Sequence, residues 1–238
     1  MLAVHPLDKW LGPLVDLFYP DLCAGCGKTA APAAGCFCLR CQSQLIPIGT
    51  TFSRENDFGE RLWGRLPLES GTALYLFQRK SPLQNALYRL KYYHQSHIGV
   101  RLGRMLGRQL RQLPDFCGVS AVIPVPLHPK KMRLRGYNQS ALIASGISEV
   151  TGIPVWGDVL SRRIHTASQT RKHRMERFDN VADGFVLQKP ERVAGQHLLL
   201  VDDVLTTGAT LEACGRALLA APNVRLSMAT VAIAVRQL

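Results

Sequence analysis

The stretch Leu198-Leu-Leu-Val-Asp-Asp-Val-Leu-Thr-Thr-Gly-Ala-Thr210 decides how the rest of the chain is read. Leu198 to Val201 is an apolar run suited to a strand buried on both faces. Asp202 and Asp203 stand side by side where that strand is expected to end. Beyond Thr206-Thr207-Gly208-Ala209-Thr210, residues Leu211, Cys214, Leu218 and Leu219 recur at helical spacing. The order is strand, acidic pair, small-residue loop, helix. Such a loop suits an anion. Gly208 permits a tight turn and lacks a Cβ that would block a ligand. Amides at a helix start converge on one spot, and the helix dipole favours negative charge there. Thr206, Thr207 and Thr210 add hydroxyl donors. The two carboxylates would repel a phosphate, so they need another task. Carboxylates accept hydrogen bonds from vicinal hydroxyls, as an acidic residue does for ribose in dinucleotide folds. A sugar phosphate satisfies both halves of the stretch. A capped helix after a buried strand would account for each feature singly, but less well for all of them together. Neither GxxxxGK[ST] nor GxGxxG is present, which removes the two commonest nucleotide loops.

The chain has 238 residues, enough for one α/β domain and a small module. An apolar content of 47% supplies a core and excludes wholesale disorder. The formal charge of +12 points to an anionic partner: phosphates, nucleic acid or a membrane surface. Asp8, Lys9, Pro13 and Asp16 interrupt any signal-peptide core. No run approaches the roughly 18 apolar residues of a membrane span. A cytoplasmic protein is therefore expected, with its cysteines reduced or metal-bound.

Residues 1–46 are expected to form an N-terminal module, 47–72 a linker, and 73–238 the main domain. Leu7, Trp10, Leu11, Leu14, Val15 and Phe18 give an amphipathic helix expected to dock on the domain. Cys23-Ala-Gly-Cys26 and Cys38-Leu-Arg-Cys41 then form two CxxC pairs, the spacing of a tetrahedral thiolate cage for structural Zn²⁺. Cys36 is a spare thiol that could displace one of the four, and a reducible dithiol pair is the alternative. A module this small buries little surface, so metal would supply folding energy on the order of 10 kcal/mol.

Ala73 to Phe77 and Val119 to Val125 read as strands. Helices are expected after Ser81-Pro82, over about 98–113, and after Gln139. Alternating strands and helices predict an α/β fold with a mainly parallel twisted sheet. Arg101, Arg104, Arg108 and Arg111 make a basic stripe, read as a solvated face. The loop 127–139 carries Lys131, Arg133 and Arg135. Residues 157–185 are basic and aperiodic, and loops of that length are usually functional or disordered. From 128 to 180 there are ten Lys/Arg and four Asp/Glu, a net of +6 and half of the chain's excess. In a parallel sheet both segments would follow strand C-termini, on the side of residues 202–210.

The central stretch resembles the 5-phosphoribosyl-1-pyrophosphate (PRPP) signature of type I phosphoribosyltransferases. Most of the chain resembles the ComF family: the paired CxxC, Leu90-Lys-Tyr92, Pro124-Val-Pro-Leu-His128, Arg135-Gly-Tyr-Asn-Gln139, Arg163…Thr166…Gln169, Arg174…Arg177…Asn180, Phe185 and the 201–210 loop. It departs from the family pattern at Lys131-Met132 and at Ala221-Pro-Asn223. The resemblance implies a phosphoribosyltransferase-like domain behind a zinc finger, acting in DNA uptake during natural transformation or in the use of external DNA. In its terms Asp202 and Asp203 are the candidate catalytic residues and hold the ribose hydroxyls. Thr206, Thr207, Gly208, Ala209 and Thr210 cradle the 5′-phosphate. Lys131, Arg133 and Arg135 meet pyrophosphate with Mg²⁺, and Arg163, Thr166, Gln169, Arg174 and Arg177 belong to a lid over about 161–180. A complete amidophosphoribosyltransferase is not expected, because the chain length leaves no room for a glutaminase domain. The alternative is binding without turnover: a PRPP sensor, or a single-stranded DNA binder working with a DNA-uptake or helicase partner. Tyr92, Tyr93, Tyr137 and Phe178 are its stacking candidates, although such aromatics more often anchor cores and loops.

Overall fold

The computed structural model describes residues 22–32, 35–48, 58, 61–62, 64–162 and 184–234. The expected N-terminal helix lies outside the described residues, and so do the lid residues Arg163, Thr166, Gln169, Arg174 and Arg177.

Four strands, β1 (Ser70–Phe77), β2 (Ala121–Pro124), β5 (His197–Leu205) and β6 (Arg225–Ala234), form a sheet in the order β1-β6-β5-β2. All three pairings are parallel. Side chains alternate across it as period-two geometry requires. Leu199, Val201 and Val122 enter one apolar cluster; Leu198, Leu200, Ala121 and Ile123 enter the other. Leu198 to Val201 are thus apolar without alternation because both faces of the strand are covered.

One face carries α2 (Pro82–Tyr92), α3 (His97–Leu110) and α5 (Gln139–Thr151), through Leu83, Leu87, Leu90, Leu102, Leu106, Ile143 and Ile147. Ser81 caps α2 by accepting from the Gln84 amide, with Pro82 in its first turn. The expected α3 was three residues too long at its end, since the helix stops at Leu110. Helices α3 and α5 cross at glycines. A Cβ on Gly103 would sit 2.1 Å from the Ile143 carbonyl oxygen, and one on Gly146 2.1 Å from that of Val100. The arginine stripe on α3 is not simply a solvated face. Arg101 is buried, Arg104 donates to Glu149 at 2.6 Å, and Arg111 reaches the Val150 carbonyl.

The other face carries α7 (Ala209–Leu219) together with Phe58, Leu62, Leu66 and Leu68. Those four lie in the stretch expected to link the modules, and they are buried. Ordered structure also begins earlier than Ala73, with β1 starting at Ser70. Strands β3 (Leu160–Arg162) and β4 (Phe185–Leu187) pair antiparallel as a separate ribbon flanking 163–183. Short helices α1 (Leu39–Gln42), α4 (Pro129–Arg135) and α6 (Pro190–Val193) and a 3-10 turn (Pro114–Gly118) are the remaining elements among the described residues.

Candidate functional site

β5 pairs with β2 only through Val201, opposite Pro124, whereas its pairing with β6 continues to Leu205. Asp202 and Asp203 therefore do not end their strand; they stand just past the end of its neighbour. The segment leaving β2 and the loop leaving β5 emerge at the same sheet edge, as parallel pairing demands.

The loop is turned by Gly208 in the left-handed region, φ 84°, and α7 begins at the next residue. Its Cβ position is closed as well, 2.8 Å from Leu62 Cδ2, so glycine is required on two counts. The Glu212 amide bonds to the Gly208 carbonyl at 2.8 Å, and the Thr207 hydroxyl accepts the Ala209 amide at 3.4 Å. Thr206 and Thr207 are exposed; Ala209 and Thr210 are half-buried. Arg61 and Arg65 bind the carbonyls of Thr206 and Thr207 at 3.0 and 3.1 Å. Arg61 also reaches the Ala234 carbonyl, which ties the loop to the end of β6.

The carboxylates have different surroundings. Asp203 Oδ2 is 2.6 Å from Lys91 Nζ on α2. Asp202 Oδ1 accepts the Ser140 hydroxyl at 2.8 Å and the Asp203 amide at 2.9 Å. Burial first, and then the neighbouring Asp203 charge, push Asp202 up to about 7, with the Ser140 and Asp203 hydrogen bonds and Lys91 opposing. One ammonium, that of Lys91, stands beside the pair and offsets its negative charge.

The segment after β2, expected as a loop, contains α4, closed by Gly136 at φ 77°. Lys131 and Arg133 are exposed on it. Arg135 instead lies over the Tyr92 ring, 5.5 Å from its centroid. Asn138 fixes the next turn by capping α5 through Ser140 and donating to the Val125 carbonyl at 2.9 Å.

At the other end of the described chain, the sulfurs of Cys23, Cys26, Cys38 and Cys41 all lie within 4.8 Å of one another, with Cys26 and Cys38 at 3.9 Å. Tetrahedral thiolates 2.3 Å from one ion are about 3.8 Å apart, so the set fits such a metal. Cys36 is buried nearby but is not a member of the cluster. Backbone amides of Lys28 and Thr29 lower Cys26 to about 6, whereas burial and the neighbouring thiols push Cys41 up.

Residues 139–236 match the model of the phosphoribosyl transferase domain. The chain is 32% identical over 139 residues to Competence protein F of Haemophilus influenzae, covering 55% of this chain and 58% of that protein. It is 31% identical over 146 residues to the DNA utilization protein YhgH of Salmonella typhimurium, covering 58% and 61%. With Competence protein ComFC of Bacillus subtilis it shares 30% over 98 residues, covering 41% and 38%. Over these stretches the chain is similar to competence and DNA utilization proteins, and its C-terminal part matches a phosphoribosyl transferase domain. The alignments span about three-fifths or less of the length of these curated relatives.

The expected parallel sheet is the one found, and the acidic pair and threonine loop do share one sheet edge. Four contributors were missed. Lys91 stands in Leu90-Lys-Tyr92, a motif visible in the sequence without a role. Ser140 follows a recognisable helix cap, but its partner is 62 positions away. Arg61 and Arg65 lay in the stretch dismissed as linker.

Proposed function

We propose that this chain binds PRPP or another phosphorylated ribose, with Mg²⁺, at residues 202–210, and acts in the cytoplasm in competence or the use of external DNA. The observation that carries the reading is the acid pair projecting beyond the end of β2, one residue-turn from a Gly208-closed threonine loop at the start of α7. Asp202 and Asp203 would accept the ribose hydroxyls, and Thr206 to Thr210 would hold the 5′-phosphate through amides and hydroxyls. Lys131 and Arg133 on α4 would meet the pyrophosphate, which Mg²⁺ would help neutralise. Lys91, paired with Asp203 at 2.6 Å, would offset the carboxylate's charge toward the ligand. If transfer occurs, the acceptor atom bonds to ribose C1 as the C1–O bond to pyrophosphate breaks. The protein's part would be positioning and charge stabilisation. Cys23, Cys26, Cys38 and Cys41 would bind structural Zn²⁺, making residues 1–46 a zinc module packed on the 73–238 domain.

Calorimetric titration with PRPP and Mg²⁺ tests the reading. Asp203→Asn keeps the shape but removes the charge. Hydrogen bonds to charged groups contribute roughly 1.5–3 kcal/mol, so affinity should fall about ten- to a hundredfold. Absence of binding by the wild type to any phosphorylated ribose at millimolar ligand would overturn it.

A further inference from the structure

The C-terminal turn of α2 exposes three tyrosines: Tyr88 and Tyr92 at 54% and Tyr93 at 62%. Single exposed aromatics need no explanation, but touching ones form a patch. Here Tyr88 lies 4.7 Å from Tyr92 and 5.7 Å from Tyr93, centroid to centroid. The Arg135 guanidinium covers the Tyr92 ring at 5.5 Å. Among the described residues its Nε is buried without a hydrogen-bond partner. The patch is also held in shape. Tyr137 donates to the Leu90 carbonyl at 2.6 Å, and His94, at φ 55°, donates from Nδ1 to the Arg135 carbonyl at 3.2 Å. The ends of α2 and α4 are thereby fastened together. Helix α4 adds Lys130, Lys131 and Arg133, all exposed, and has no buried residue.

Of the sequence's stacking candidates, Tyr137 is therefore an anchor, Phe178 lies outside the described residues, and Tyr92 and Tyr93 are surface rings. Tyr88 joins them. Exposed rings beside a guanidinium, bordered by cations, match unstacked bases on a phosphate backbone: the rings take the base faces and the cations take the phosphates. A duplex keeps its bases stacked on one another and offers no free face. We infer that Tyr88, Tyr92, Tyr93 and Arg135, with Lys130, Lys131 and Arg133, form a docking platform for single-stranded DNA. The choice of DNA over RNA rests on the DNA-handling role proposed above; the platform itself does not depend on PRPP binding. Because α4 also borders the sheet edge of the acid pair, a strand bound here would pass beside that site.

Fluorescence anisotropy with a labelled oligothymidylate tests the platform on the full-length protein. The wild type should bind, with affinity falling as salt rises. Tyr92→Ala and Tyr93→Ala should each weaken binding about tenfold without changing the salt slope, because rings release no counterions. Tyr92→Phe should bind like the wild type, since the ring is what stacks. Arg133→Gln should weaken binding and reduce the salt slope by about 0.7, the single-strand value per phosphate contact. Circular dichroism checks that each variant is folded; these side chains are exposed, so unfolding is not expected. No binding by the wild type at low salt would overturn the inference. So would alanine variants that are folded and bind normally, equal binding of a duplex, or a preference for oligouridylate RNA.

Discussion

The cysteine module and the parallel sheet are joined in one apolar cluster but are held together by different physics. The module's buried residues are mostly the cysteines themselves with Ala24, Phe37 and Leu45. It leans on the domain through Phe37, edge-on to Tyr75 at 6.4 Å, and through Asn85, which donates to the Gly25 carbonyl at 3.1 Å. The backbone of Ile46 and Ile48 also pairs with β1. The sheet, by contrast, has two apolar faces, each closed by helices or by the 58–68 segment. The described part of the module, residues 22–46, buries few apolar side chains and so draws stability from ligand bonds and from its host; a doubly covered sheet supplies its own. The same contrast sets where chemistry can sit. Sulfur ligands are rigidly clustered, whereas the acid pair stands at the one edge where the sheet's cover stops.

The largest effect expected from breaking this contrast is metal removal. Zinc analysis should give about one ion per chain. Chelation should expose the amides of residues 22–48 to hydrogen exchange while the sheet stays protected, since site affinity supplies on the order of 10 kcal/mol. Cys26→Ser should lose the ion and Cys36→Ser should keep it; the reverse result would reassign the ligand.

The converse perturbation is Leu200→Ala. Leu200 is fully buried in the centre of β5, so truncation should cost about 3 kcal/mol in urea unfolding. Zinc content should remain that of the wild type. Loss of zinc in this variant would show that the two regions do not differ as described.

The smallest effect concerns pH. Asp202 is pushed up to about 7 in the folded protein, above the ordinary carboxylate value. Its contribution is therefore fully present below about pH 4 and is lost as pH rises through about 7. Solvent at this half-buried group moderates the effect to about 1–2 kcal/mol. Between pH 5 and 8 the wild type should lose stability relative to Asp202→Asn, which has no proton to release there. Parallel pH profiles for the two proteins would count against a shared, partly protonated acid pair. Asp203, Ser140 and Lys91 act on Asp202 in that comparison, and the Asp202 charge in turn acts on the buried Cys214 thiol.

Much of the fold was legible because its signals are local. Leu198 to Val201 announces a strand buried on both faces, and Ser81-Pro82 announces a helix start. Two CxxC pairs announce a sulfur cluster, and Thr206 to Thr210 a glycine turn into a helix. Each depends on residues within a few positions of one another, where backbone geometry and side-chain period act directly.

Tertiary structure alone decided the electrostatics and the edges. Lys91 meets Asp203 across 112 positions (203 − 91), Ser140 meets Asp202 across 62, and Arg61 holds Thr206 across 145. No periodicity encodes such pairings. They exist because α2, α5 and the 58–68 segment are packed onto opposite faces of one strand. Whether an aromatic is buried was equally undecided by the sequence. Tyr137 and Tyr92 were both stacking candidates in the sequence, yet Tyr137 is anchored through its hydroxyl to the Leu90 carbonyl and Tyr92 faces water beneath Arg135. Composition and spacing determine which elements form and what chemistry they carry. Which side chains are desolvated together, and therefore which charges persist, is settled only when the layers close.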